Sequence, residues 1–374
     1  MDGADPATVR AALDGGDPLP GTRGFAGRLD ASDAAAAAPL LVRDVLGRRP
    51  CFSEGADPTA WSFDPAELDD PEPVPAGHVR TADGDDRVWT LPDPPAIDDD
   101  AAAVEAVREA VAASTAAVES DSLAVAFSGG VDSALLAARL DAPLYVAGFP
   151  DSHDVEAARS AAAAMDRGLT VVELTHDDLE RAVPELVRAT GRTNAMDVQI
   201  ALPLYLVAER AAADGYDRLA VGQGADELFG GYAKVANAPT DPRVDADTVR
   251  GARREVVQTL PDQLERDVLA LRAAGVDPVA PLLSDRVIRA ALPLPGRLLV
   301  ADPASDEQRS DAERKVALRR AAEPWLPAEI VDRDKKAVQY GSLVARELDR
   351  LARQAGYKRR MDDHVTKYVR SLVA

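Results

Sequence analysis

Leu123-Ala-Val-Ala-Phe-Ser-Gly-Gly-Val-Asp-Ser-Ala-Leu-Leu-Ala-Ala138 is the stretch whose reading decides the fold. Leu123 to Phe127 is a short apolar run, the pattern of a buried strand. Ser128-Gly129-Gly130-Val131-Asp132-Ser133 follows, and an Ala- and Leu-rich helical segment comes after it. Two glycines between a strand and a helix allow a tight turn and a close approach of the backbone to a ligand. The helix N-terminus adds N–H groups and partial positive charge, a combination that favours phosphate. Ser128 and Ser133 bring hydroxyl donors. Asp132 is out of place against a bare anion, but it suits a site where Mg2+ lies between a carboxylate and phosphates. The Gly-x4-Gly-Lys-Ser/Thr spacing of the Walker loop is absent.

The motif resembles the Ser-Gly-Gly-x-Asp-Ser pyrophosphate loop of ATP pyrophosphatases. Those enzymes split ATP between the α and β phosphates and transfer AMP to a carboxylate or carbonyl oxygen. The resemblance implies ATP and Mg2+ as cofactors, with Ala126, Ser128, Gly129, Gly130, Asp132 and Ser133 around the nucleotide and Asp132 on the metal.

Downstream the pattern alternates. Leu144 to Phe149 reads as a second strand, Asp154 to Met165 as a helix, and Leu169 to Leu174 as a third strand. Asp177 or Asp178 caps a helix through Ala189. Met196 to Arg210 is a helix with Pro203 at a kink or in a first turn, and Arg218 to Gly222 is a fourth strand. This order predicts an α/β fold, a doubly wound parallel sheet with its ligand at the carboxyl ends of the strands. In related enzymes adenine is held at the end of the second strand, which points to Ala147 and Gly148. After the fourth strand comes Gly222-Gln-Gly-Ala-Asp-Glu-Leu-Phe-Gly-Gly-Tyr232. This second loop is expected to face the first, with Asp226 as a second oxygen ligand for Mg2+ and Gly222 beside the nucleotide. Glu227 reads equally as a site residue or as support for one.

The two loops together resemble the synthetase domain of the asparagine synthetase family. Ala280-Pro-Leu-Leu-Ser284 is similar to that family's Pro-Phe-Leu-Asp element, and Lys315 falls in its Lys-x-x-Leu-Arg helix. Arg333-Asp-Lys-Lys-Ala-Val-Gln-Tyr-Gly-Ser342 resembles its lysine loop, in the form of a divergent, archaeal-type branch. The resemblance implies a two-step ligation in which a carboxylate, aspartate first among candidates, attacks the α-phosphorus and ammonia then displaces AMP. It makes Lys335 the catalytic ammonium, with Lys336 as the fallback. Two departures stand out. Gln223 replaces the family's Glu, and an amide takes no proton at neutral pH. Ser284 replaces the aspartate that closes the Pro-Phe-Leu-Asp element, with Asp285 following it.

Residues 1–95 are rich in Pro, Gly, Asp and Ala, with strand-like runs at Pro39 to Val45, around Trp61 to Phe63, and at Val88 to Leu91. Leu40-Leu-Val-Arg-Asp-Val-Leu-Gly-Arg-Arg-Pro-Cys-Phe52 reads as strand, glycine turn, strand. It resembles the Ala-Arg-Asp-x-x-Gly-x-x-Pro-Leu-Tyr stretch of the N-terminal-nucleophile glutaminase domain, and Pro75-Ala-Gly-His-Val79 resembles that domain's Pro-Pro-Gly-His segment. The glutaminase needs a cysteine directly after the initiator Met. Asp2 stands there, and Cys51 reads as a buried structural thiol. The expectation is a small, β-rich, degenerate glutaminase-like domain over 1–95 without glutaminase activity. A Pro- and Asp-rich linker around Pro92 to Asp100 follows, then a helix from Ala101 to Val118 and a synthetase domain over 96–374 with a helical C-terminal part.

The single cysteine excludes an internal disulfide and a Cys-based zinc cluster. A net charge of −21 argues against nucleic acid, and the basic run Lys358 to Lys367 reads as a solvated face. With no run of 18 apolar residues and no signal peptide at Met1, no membrane partner and a cytoplasmic location are expected. Lysine occurs only at 234, 315, 335, 336, 358 and 367. Strong acidity with few lysines looks like adaptation to high salt, so a retained lysine is a better candidate for a role than a carboxylate. His153 reads as a solvated loop residue. Expected partners are a small carboxylate and ammonia, and a homodimer is the assembly considered. Two rivals remain: a pyrophosphatase-type ligase for another carboxylate, and an ATP-binding regulatory protein with weak catalysis.

Overall fold

The computed structural model describes residues 1–30, 39–238, 240–301, 312–333 and 343–373. The chain forms two compact units. The first comprises Met1–Ala117, Gly222–Glu265 and Ala280–Pro324, and the second Val118–Val221, Arg266–Val279 and Trp325–Ala374.

The first unit begins with a helix, Pro6–Gly15, that the composition of the segment hid. Its signals are local: Asp5 accepts from the Thr8 N–H, Pro6 opens the first turn, and Gly16 closes the helix in the left-handed region. Seven strands follow: β1 (Ala26–Leu29), β2 (Leu40–Arg43), β3 (Phe52–Glu54), β4 (Asp57–Ser62), β5 (Pro71–Pro73), β6 (His78–Thr81) and β7 (Gly84–Arg87). They make two small antiparallel sheets of order β1-β2-β6-β7 and β4-β3-β5. The Leu40–Phe52 stretch is strand, turn, strand as expected, but its strands belong to different sheets. Val88 to Leu91 is not a strand. The N–H groups of Val88 and Trp89 both donate to the Gly77 carbonyl, which leaves no ladder to extend, and the strand lies just before, in β7.

Ala26, Leu41, Cys51 and Val74 form one buried cluster, with Trp61 and Phe63 against it. Cys51 is a free, buried thiol, and burial pushes its pKa up to about 12 against the pull of Arg43 and Arg80. Arg48 is also buried. It bonds Asp44 through Nε (2.8 Å) and Asp285 through Nη1 (2.7 Å), and both carboxylates are fully buried. The Thr22 N–H donates to the other Asp285 oxygen (2.7 Å). Two buried carboxylates sharing one guanidinium tolerate removal of any member poorly. The Pro-rich segment after β7 is likewise held: Arg254 donates to the Leu91 and Pro92 carbonyls and Arg250 to that of Pro94. Helix Asp100–Ala116, capped by Asp99, packs on the helices Asp285–Ala291 and Val316–Ala322.

The second unit carries the sheet that the alternating pattern predicts. Its strands are β8 (Leu123–Ala126), β9 (Leu144–Gly148), β10 (Leu169–Glu173), β11 (Arg218–Ala220) and β12 (Asp277–Val279). All neighbours are parallel, in the order β10-β9-β8-β11-β12. The chain winds outward from β8 to β10, then returns to the other side of β8, so the winding reverses between β8 and β11. β12 went unread because Pro278 interrupts it; a proline is tolerated in an edge strand. Helices Val131–Arg139 and His153–Ala164 pack on β8 to β10. Ala195–Ala213, with Pro203 in its interior, packs on β8 to β10 and groups with His176–Thr190, Val344–Gln354 and His364–Val373. Thr175 and Asp178 form a capping box for His176–Thr190, so the cap is Thr175 rather than an aspartate at 177 or 178. The mixed-charge stretch before β12 forms helices Val249–Gln258 and Leu260–Ala273. Each presents a buried face, including Val256, Val257, Val268 and Leu271. No helix among the described residues is long and apolar enough to cross a membrane.

Candidate active site

In the parallel-sheet unit the glycine loop leaves the carboxyl end of β8. Gly129 has φ +76°, and a Cβ there would lie 2.6 Å from the Ala157 carbonyl oxygen, so only glycine fits. Gly130 is the N-cap of Val131–Arg139 and has no side chain to satisfy the first-turn N–H groups. Ser133 Oγ donates to the Gly130 carbonyl (3.2 Å), accepts from the Ser128 N–H (3.2 Å) and lies 3.3 Å from Ser128 Oγ. Asp132 sits in the first turn of that helix. The loop therefore gathers hydroxyls, first-turn N–H groups and one carboxylate, as its spacing predicted.

β9 ends beside it. Ala147 is buried, and Gly148 is confined by the turn into the next helix, where a Cβ would lie 2.5 Å from Ser152 Oγ. Ser152 caps His153–Ala164 by accepting from the Val155 N–H (3.1 Å). His153 opens that helix with its side chain 83% exposed, which fits a solvated histidine. Arg333, first residue of the segment that resembles a lysine loop, donates to the Ala157 carbonyl (3.0 Å) and to Ser160 Oγ (3.1 Å). The carbonyl that closes the space behind Gly129 thus also anchors Arg333. Lys335 and Lys336 lie outside the described residues.

The second loop, from Gly222, belongs to the other unit, so Asp132 and Asp226 sit in different units. Gly224 has φ +87° and abuts Leu283, where a Cβ would come within 2.4 Å of a methyl. Helix Ala225–Phe229 carries Asp226 and Glu227 in its first turn, and Gln223 is half-buried just before it. Lys315 Nζ lies 2.7 Å from Asp226 Oδ1; the lysine is 2% exposed and the aspartate 27%. Gly231 leaves room for this pair, since a Cβ would meet Asp226 Oδ1 at 1.8 Å. Tyr232 Oη donates to Glu227 Oε1 (2.5 Å). Burial, aided by the charge of Asp226, holds the Glu227 pKa above the usual range, against the Tyr232 hydrogen bond and Lys315.

The Lys315–Asp226 and Tyr232–Glu227 pairings were not foreseen. Lysine scarcity on so acidic a chain was the one available signal, and it singles out Lys315 as readily as Lys335. Among the described residues no group of three or more His, Cys, Asp or Glu could hold a metal. The donors at the first loop are hard oxygens, the Asp132 carboxylate with the Ser128 and Ser133 hydroxyls. That set fits Mg2+, which takes one or two protein carboxylates and fills its octahedron with phosphate and water.

Comparison with known proteins places the chain in a family. The family model described as asparagine synthase matches residues 103–258 and 234–371. A putative glutamine-hydrolyzing asparagine synthetase of Methanocaldococcus jannaschii is 28% identical over 282 residues, 68% of this chain and 52% of that protein. A probable one from Dictyostelium discoideum is 24% identical over 343 residues, 81% of this chain and 60% of that protein. A probable one from Schizosaccharomyces pombe is 25% identical over 237 residues, 61% of this chain and 41% of that protein. The matched parts amount to about half the length of these relatives. The family match takes in the parallel sheet and both glycine loops, and on that ground the chain belongs to the asparagine synthase family.

Proposed function

We propose that the chain is an ATP-dependent amide ligase that activates a carboxylate as its acyl-adenylate and then amidates it with ammonia. Aspartate is the first carboxylate to test. The observation that carries this reading is the Ser128–Ser133 loop at the carboxyl end of β8, where the winding of the parallel sheet reverses. Residues 96–374 form the synthetase part on this reading, and 1–95 a degenerate glutaminase-like part.

The roles follow from the chemistry of the side chains. Ser128, Gly129, Gly130 and Ser133 hold phosphate oxygens through hydroxyls and N–H groups. Ala126, Ala147, Gly148 and Gly222 border the adenosine. Asp132 and Asp226 would hold Mg2+, which when bound would screen the charge of the phosphates. Lys335, with Lys336 beside it, supplies an ammonium to the oxygens of the α-phosphate as charge develops there, and the anchoring of Arg333 behind Gly129 supports that placement. Gln223 orients a reactant by hydrogen bonds and moves no proton. On this reading the chain itself hydrolyses no glutamine, which the burial of its one cysteine, Cys51, supports. The acidic surface suits high salt, in a cytoplasmic protein.

Pyrophosphate release from the purified chain tests the reading, with ATP, Mg2+ and high potassium chloride. Release that needs both aspartate and ammonia, is unsupported by glutamine and is lost in Asp132→Asn is expected. Release with a different carboxylate would keep the ligase and replace the substrate. Gln223 favours a second reading, an ATP-binding regulatory protein; nucleotide binding with no release for any carboxylate would establish that one instead.

A further inference from the structure

At the carboxyl ends of β9 and β10 lies a cavity of about 350 Å3, within the size range of small-ligand sites. All its lining residues belong to the parallel-sheet unit. One wall is apolar, made by Phe149 just past β9 and Leu174 just past β10. The other comes from helix Val344–Gln354, which carries Arg346 and Arg350 one turn apart with Glu347 between them. The phosphate loop follows β8, on the other side of β9 from β10.

The charges in this cavity do not balance. Glu347 is buried, and three cationic or potentially cationic groups converge on its one carboxylate. His176 Nε2 lies 2.8 Å away, Arg346 Nε donates at 3.0 Å, and Arg350 Nη1 lies at 3.5 Å. Burial alone would raise the Glu347 pKa, but the bonds from His176 and Arg346 outweigh it and hold the group ionised. A guanidinium has five N–H donors, and each arginine directs one at Glu347. Their side chains are 66% and 56% exposed, so the remaining donors are open to a ligand. The His176 ring packs against Phe149 with centroids 5.8 Å apart, which joins the charged wall to the apolar one. Surplus positive charge beside an apolar recess, on a chain of net charge −21, is an arrangement for recognition.

We propose that this cavity binds a small anion, a carboxylate or a phosphate monoester, that carries an apolar or aromatic body. The anionic group meets Arg346 and Arg350, and the body lies on Phe149 and Leu174. Such binding is separate from the ligase reaction and does not use the phosphate loop.

Isothermal titration calorimetry of the full chain with phenyl phosphate, benzoate and inorganic phosphate is the test. An aromatic anion is expected to bind more tightly than inorganic phosphate. Arg346→Gln with Arg350→Gln should weaken it by about tenfold or more while melting like the parent chain, and Arg350→Gln alone serves if the double variant melts lower. Asp132→Asn should leave the affinity unchanged. A preference for phenyl phosphate assigns a phosphate-bearing ligand, and a preference for benzoate a carboxylate. No binding by any probe, equal affinity for inorganic phosphate, unchanged affinity in the arginine variants, or loss in Asp132→Asn would each overturn the proposal.

Discussion

The two glycine loops solve the same local problem in different ways. The loop after β8 is held by its own hydroxyls and by one neighbouring helix, through bonds that span a few residues. The loop from Gly222 to Tyr232 is fastened from far along the chain, by Leu283 against Gly224 and by Lys315 on Asp226. The first loop is shaped by bonds within a few residues, whereas the second places its carboxylate only if a distant lysine arrives. Local bonds make a loop readable and tolerant of change elsewhere, and distant ones make it dependent on the rest of its unit.

The largest effect should come from breaking the distant fastening. Asp226→Asn leaves the more deeply buried partner, Lys315, facing a neutral amide, at an expected cost of about 3 kcal/mol. Lys315→Met leaves an aspartate that solvent reaches, and should cost only about 1 kcal/mol. Denaturant unfolding measures both; the reverse order would mean that burial of Lys315 does not govern the pair.

Next in size is a contrast inside the first loop. Gly129→Ala forces a left-handed backbone on a residue with a Cβ and pushes on the Ala157 carbonyl, for about 2 kcal/mol. Gly130→Ala, at φ −78° with its nearest neighbour at 3.7 Å, should change stability by no more than about 0.5 kcal/mol. Thermal melts separate the two, and similar losses would show that the loop is as constrained at its second glycine as at its first.

The smallest effect sharpens the electrostatics of the second loop. The folded state holds the Glu227 pKa above 4.5, so over the range just above that value it binds more protons than the unfolded chain. Stability from this group is therefore present at low pH and falls as pH rises. Glu227→Gln keeps an oxygen for Tyr232 and removes the titration. Its stability relative to the parent chain should rise from pH 4 towards neutrality, and a constant difference between the two unfolding curves would refute the assignment.

Much of the parallel-sheet unit was legible because its signals are short-range. Apolar runs bounded by glycines mark β8 to β11. β12 escaped because Pro278 looks like a breaker, and the first helix escaped because Ala, Gly and Asp dilute its apolar face. In the site, Ser128 to Ser133 could be read from spacing. The ion pair of Lys315 with Asp226 could not, since nothing local distinguishes a lysine that turns inward from one that faces water.

The bridge from Arg48 to Asp44 and Asp285 bears on how such a chain can be recombined. Residues of the amino-terminal β-rich segment supply the counter-ion for a buried carboxylate far along the chain, Asp285. Grafting in a relative's amino-terminal part without a matching arginine would strand Asp285 as a bare buried charge. An amino-terminal segment can thus act as a solvent for an ion carried far along the chain, and chimeras should be cut to keep both ends of that bridge from one parent.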